Sequence, residues 1–152
     1  MILGIDPGAS GALVVLDSQG QPIEWMRMPI MKEGSATRVN GLAVAEFIRS
    51  LPRDSTRAYV ESVHSMPKQG VTSSFNFGHS AGVIAGVLAA LEIPTVMVTP
   101  QRWKKRANLI GTNKDAARSK AIIRWPKWRD LDKIGAGQAY ADAAFIAVYG
   151  ED

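Results

Sequence analysis

The sequence predicts an α/β domain built on a mixed five-stranded sheet with helices against it. Two observations carry that reading. Three short apolar runs joined by turns occupy Ile2 to Met28, as hairpin-linked antiparallel strands do. From Asn40 onward helical and strand-like patterns alternate, which adds parallel strands and covers the sheet with helices. The length, 152 residues, suffices for one domain with its own core; no second domain or internal repeat is visible, so the expected domain is 1–152.

Ile2, Leu3 and Ile5 lead into Asp6 as a first strand. Pro7-Gly8-Ala9-Ser10-Gly11 is a turn, and Ala12 to Leu16 is the returning strand. Pro22 to Met28 alternates apolar and polar residues in places, as a half-buried third strand does. Met31 to Val39 is polar and contains glycine, which predicts a loop. Asn40 caps a helix from Gly41 to Leu51, and Pro52 ends it. Arg57 to Glu61 is a fourth strand that, like the first, ends on an acid. Ser62 to Phe77 reads as loop, with Pro67, Gly70 and several serines.

A second helix is expected from about Gly78 to Leu91. It is rich in Ala81, Gly82, Ala85, Gly86, Ala89 and Ala90. Glycine costs a helix roughly 1 kcal/mol against alanine, so small residues here suggest close approach of another element. That element is either the sheet or a second subunit. Pro94 to Val98 is the fifth strand. Helices over Gln101 to Leu109 and Lys114 to Arg124 follow, split by Gly111-Thr112-Asn113, and the last helix runs from about Gly137 to Tyr149.

Composition narrows the chemistry. With no cysteine, disulfides and thiolate metal sites are excluded, and two histidines, His64 and His79, argue against a His-rich zinc site. The longest apolar stretch, Ala81 to Leu91, is well short of the ~20 residues that span a membrane. No basic-then-apolar leader opens the chain. The expectation is a cytoplasmic protein with no membrane partner. The net charge of +4 is unevenly placed: between Gln101 and Arg129 ten Lys/Arg face one acid, Asp115. Trp103, Trp125 and Trp128 lie in the same stretch. A basic run can be a solvated helix face, but one so poorly balanced points to a polyanion.

Three acids stand out. Asp6 sits in Asp-Pro-Gly, which is good turn chemistry in itself. Glu61 closes a strand, where a solvent-facing acid is common. Asp142 differs, being the only residue between Ile134 and Gly150 charged at neutral pH. A helix apolar all round is usually buried. A carboxylate on it needs a cation or an arginine partner. Taken together, two strand-end acids and one on a covering helix offer hard oxygen ligands, which suit Mg²⁺ or Mn²⁺. Two such ions about 3.5–4 Å apart stabilise attacking and leaving oxygens in phosphodiester cleavage.

Ile5-Asp6-Pro7-Gly8 with Gly11-Ala12, then Val60-Glu61, resemble the RuvC family of Holliday junction resolvases. Met66-Pro67-Lys68-Gln69-Gly70-Val71 with Ser74-Phe75-Asn76-Phe77-Gly78 resembles its phage-type branch. So do Thr99-Pro100-Gln101-Arg102-Trp103-Lys104, Asn113-Lys114 and Ala141-Asp142-Ala143-Ala144. The resemblance spans nearly the whole chain. It implies a ribonuclease H-like fold and a homodimer that nicks four-way DNA junctions in pairs under Mg²⁺ or Mn²⁺, two ions per site. It implies Asp6, Glu61 and Asp142 as metal-binding catalytic acids. Lys114 and either Lys104 or Lys105 would hold the scissile phosphate. His64, Met66 and Phe75 would lie near the junction centre, where an apolar wedge can unstack bases. Lys68, Arg102, Trp103, Lys105, Arg106, Lys114 and Arg118 complete the expected DNA contacts.

One departure is plain. The family has a fourth acid or a histidine one helical turn before the last aspartate, where this chain has Gln138 and Ala139. Ala139 then stands in a ligand's place, by natural drift or by design, and the chain would bind junctions better than it cuts them. Two alternatives remain at this level: a junction-binding protein that does not cut, and a relative of sugar kinases and actin-like ATPases, whose phosphate loop Asp6 to Gly11 also resembles.

Overall fold

The computed structural model describes residues 1–62 and 70–150. In chain order the strands are β1 (Ile2–Asp6), β2 (Ala12–Leu16), β3 (Pro22–Arg27), β4 (Ile30–Glu33), β5 (Ala36–Val39), β6 (Arg57–Glu61) and β7 (Thr95–Val98). The helices are α1 (Gly41–Arg49), α2 (Val71–Ala90), α3 (Pro100–Arg106), α4 (Ala116–Arg124) and α5 (Ala136–Gly150). Short 3-10 turns occupy Arg53–Ser55 and Arg129–Asp132.

The main sheet has the order β3-β2-β1-β6-β7. β1 to β3 pair antiparallel, whereas β6 runs parallel to β1 and β7 parallel to β6. This is the mixed five-stranded sheet that the hairpin-then-alternation pattern predicts. Because successive strand residues point to opposite faces, the sheet sorts its side chains into two cores. Leu3, Ile5, Leu13, Val15, Ala58 and Val60 pack with Val44 and Ile48 of α1 and Ile84 and Leu88 of α2. Ala12, Val14, Leu16 and Tyr59 pack with α3, α4 and α5 on the other face, through Trp103, Ala121 and Phe145 among others.

α5 meets β1 at near-backbone distance. A Cβ on Gly4 would lie 2.0 Å from the Ala143 carbonyl oxygen, so only glycine admits this approach. Asn40 caps α1 as expected, its side chain accepting from the Ala43 N–H at 3.2 Å. No helix among the described residues is long and apolar enough to cross a membrane.

Two elements differ from the sequence expectation. The predicted loop at Met31 to Val39 holds an antiparallel hairpin, β4 against β5, closed by Gly34 and Ser35 with Gly34 at φ 59°. All four β4 residues are exposed, so no buried face printed an alternation into the sequence. α2 begins at Val71, not Gly78. Its first turns are serine- and asparagine-rich and read as loop by propensity, yet β5 packs against them and Arg38 donates to the Asn76 side chain. Tertiary contact overrides local preference there.

The small residues of α2 meet the sheet only loosely: Ala81, Ala85 and Ala89 line an open cleft with Val60, Thr95 and Met97. Only Ser80, Ile84 and Leu88 are buried, while Gly78, Gly82, Ala85, Gly86, Ala89 and Ala90 face outward.

Candidate active site

The sheet's parity and register bring the first two acids together. On β1, Leu3 and Ile5 point toward α1 and α2, so Gly4 and Asp6 point toward α5. On β6, Ala58 and Val60 take the first direction, so Tyr59 and Glu61 take the second. The parallel pairing aligns Ile5 with Val60, and the next step along both strands sets Asp6 beside Glu61. α5, drawn onto β1 at Gly4, delivers Asp142 one residue before Ala143 over the same strand ends.

Each carboxylate has a donor of its own. The Gly8 N–H donates to Asp6 Oδ1 at 3.2 Å. Gly11 backs onto the same residue: a Cβ there would lie 2.2 Å from the Asp6 carbonyl oxygen. The Trp103 indole N–H donates to Glu61 Oε1 at 2.8 Å. Gln138 Nε2 donates to Asp142 Oδ1 at 2.9 Å.

The three anions feel one another and share a cation. Burial pushes the Asp6 carboxyl up, against the Gly8 N–H, Lys104 and Arg27. Burial pushes Glu61 up to about 6; Asp6 and Asp142 add to this, while Trp103 and Lys104 oppose it. Burial likewise pushes Asp142 up to about 6, with Asp6 adding to it and Gln138 and Lys104 opposing. Lys104 therefore acts on all three. It lines a cleft of about 320 Å³ with Asp142, Gln138, Asn113 and Lys114. Lys105, its alternative in the sequence reading, is exposed and does not line that cleft.

All donors here are hard oxygens, the chemistry that Mg²⁺ and Mn²⁺ favour. Among the described residues, the buried Gln138 Oε1 accepts from no group. In donor type the residues fit a divalent ion. In spacing they are looser: among the described residues, no three Asp, Glu, His or Cys side chains are grouped closely enough to hold an ion.

Several residues expected at the DNA have partners within the fold. Trp103 is buried, with 1% of its surface exposed, and serves the core and Glu61. Trp125 and Trp128 are also core, stacked among Trp25, Tyr140 and Phe145, so the aromatics of the basic stretch are packing residues. Arg118 forks onto Asp115 at 2.7 and 3.0 Å and donates to the Leu131 carbonyl, which ties it to its own helix start. Arg106 reaches the Tyr149 carbonyl at 3.3 Å, and Arg102 is half-buried. Phe75 is 61% exposed beside the Arg38 guanidinium. Lys114 is exposed at the cleft. His64, Met66 and Lys68 lie outside the described residues.

The two residues one turn before Asp142 face different ways. Ala139 faces the core with Trp128 and Leu131, whereas Gln138 lines the cleft. The sequence reading missed Trp103 and Gln138 as partners of the acids. A glutamine four residues before an isolated helical aspartate was the available signal for the second; no local signal marked the first.

No protein-family model and no curated protein sequence matches the chain. Solved structures do. Thermus thermophilus RuvC in complex with a Holliday junction substrate superposes with a TM-score of 0.65 at 16% identity, covering 97% of this chain and 90% of that one. A further structure of Thermus thermophilus RuvC gives 0.58 at 15% identity, covering 97% and 91%. The fold is RuvC-like, and hence ribonuclease H-like.

Proposed function

We propose that this chain is a metal-dependent endonuclease that resolves four-way DNA junctions, of the phage-type branch that its motifs resemble. The observation that supports the reading is the electrostatic coupling of Asp6, Glu61 and Asp142 to Lys104, at one end of a sheet whose fold is RuvC-like. The similar structure with bound Holliday junction supports the substrate class.

Asp6, Glu61 and Asp142 would hold Mg²⁺ or Mn²⁺, two ions in this reading, which when bound supply Lewis acidity toward the phosphodiester. The chain's own residues do the rest. Lys104 balances the carboxylates and, with Lys114 across the cleft, binds the scissile phosphate. Gly8, Trp103 and Gln138 fix the carboxylate orientations. Arg102, Lys105 and Arg106 extend the positive field along α3, where backbone contact positions the DNA without reading its sequence. The outward small-residue face of α2 supports a homodimer, because closely packed helices need side chains of that size.

The test is nicking of a synthetic four-way junction with and without Mg²⁺ or Mn²⁺. We expect paired nicks that need the metal, and loss of more than about a hundredfold in rate on Asp6→Asn, Glu61→Gln or Asp142→Asn with junction binding retained. Tight junction binding with no nicking under either metal would favour the non-cleaving reading, which the absence of a fourth acid also favours.

A further inference from the structure

The pairing of β1, β2 and β3 sets Asp6, Ala12 and Arg27 in one row across the sheet. Side chains in such a row leave the same face. Ala12 packs in the core on the α5 side, and Trp25, two residues before Arg27, packs against that core as well, so Arg27 shares the face of Asp6. Neighbouring strands lie about 4.8 Å apart, which separates the two residues by about 10 Å along the row, with only the Ala12 methyl group between them. Arg27 reaches into that gap at the turn. Its Nη2 donates to the Ser10 carbonyl at 2.9 Å and its Nε to the Gly11 carbonyl at 3.3 Å. The Met28 N–H shares the Gly11 carbonyl at 2.9 Å, so the bond to Ser10 is the guanidinium's particular contribution. The same turn is closed by the Gly11 N–H donating to the Gly8 carbonyl at 2.8 Å, and the Gly8 N–H is the donor to Asp6. Arginine suits the place, because its planar fork serves two carbonyls while its charge stays fixed. With Lys104, it is one of two cations that favour the ionised Asp6.

We propose that Arg27 is a positioning residue for the nuclease reaction: from β3 it clamps the turn at residues 7–11 and so fixes the Asp6 carboxylate. This rests on the endonuclease reading above and deepens it. Lys104 lines the cleft with Lys114, whereas two of the Arg27 nitrogens are engaged by backbone carbonyls. Loss of Arg27 therefore acts on the rate of nicking and not on the affinity for DNA.

The experiment compares wild type, Arg27→Met and Arg27→Lys by single-turnover nicking of a synthetic four-way junction with Mg²⁺, and by junction binding without divalent ions. Lysine keeps the charge and one donor; methionine keeps neither. We expect Arg27→Met to nick about tenfold or more slowly, Arg27→Lys to recover part of that loss, and both to bind the junction within about twofold of wild type. A loss that appears in binding and not in rate makes Arg27 a phosphate contact and overturns the assignment, as does an unchanged rate in Arg27→Met. A second readout needs no activity: amide hydrogen exchange in the DNA-free protein. The clamp predicts exchange at Gly8 and Gly11 faster by about tenfold in Arg27→Met and intermediate in Arg27→Lys, with Ala143 and Ala147 of α5 unchanged. Unchanged exchange at Gly8 overturns the clamp. Faster exchange throughout α5 marks a general loss of stability and overturns it too. A wild type that does not nick would overturn the endonuclease reading, and the exchange result would then decide the clamp by itself.

Discussion

Trp103 joins Glu61 to Lys104. Its indole N–H donates to Glu61, and the Lys104 ammonium lies 5.2 Å from its ring centroid. Trp103→Phe keeps most of the buried volume and removes the donor, leaving a half-buried carboxylate less well served. We expect a stability loss of about 1–2 kcal/mol in chemical denaturation and an upward move in the pH at which cleavage reaches half its maximum. No change in either would show that the bond is incidental. The raised carboxyls also set the pH response of the metal-free protein. Glu61 and Asp142 titrate at about 6 in the fold, against ordinary values of 4.5 and 3.8, so the folded state holds their protons more tightly than the unfolded chain does. Their ionisation therefore opposes folding above pH 6, by roughly 2 kcal/mol for Glu61. That penalty is relieved as pH falls from about 6 toward 4. Thermal unfolding without divalent ions is expected to have a higher midpoint at pH 5 than at pH 7.5, and Asp142→Asn to raise the midpoint at pH 7.5. Cleavage, which needs the ionised carboxylates, should rise with pH, and the divalent ions of the proposed reaction should set that rise below the metal-free window. The three acids were legible because two end apolar strands and the third is alone on an apolar helix. The partners of Trp103 and Arg118 were not, because a basic helix with tryptophans reads alike whether its aromatics face DNA or a core.

Among the elements, the contact of α5 with β1 is the most exacting. Gly4→Ala would set a methyl group 2.0 Å from a backbone carbonyl and 2.8 Å from the Ala147 Cβ, so helix and strand must part. We expect a loss of about 1–3 kcal/mol or more by urea denaturation. Because Asp142 rides on the same helix, cleavage should fall further than that loss of folded protein accounts for. Retained activity in the folded fraction would separate the helix's position from catalysis. Apolar periodicity made α5 and the main strands legible. The β4–β5 hairpin stayed hidden because it buries nothing, although its Gly34-Ser35 turn was a weak cue. The first turns of α2 stayed hidden because their stability comes from Arg38 and β5, which are remote in sequence.

For the whole molecule, three hairpin-linked strands followed by strand–helix alternation made the mixed sheet readable, whereas the order β3-β2-β1-β6-β7 came only with the structure. The proposed homodimer would place its contact on α2. Its outward Gly82, Ala85 and Gly86 admit a closely approaching partner, so Ala85→Arg should convert a dimer to a monomer in sedimentation velocity without unfolding it. A wild-type monomer would remove the basis for paired nicks. The three anions stand at positions 6, 61 and 142, which only the finished sheet and its covering helix α5 unite. Under the chemistry proposed, a chain still emerging from the ribosome, or one clipped before residue 136, has no means of cutting a chromosome. Under that proposal the wiring of the fold would act as a safety catch, released only when synthesis has passed α5.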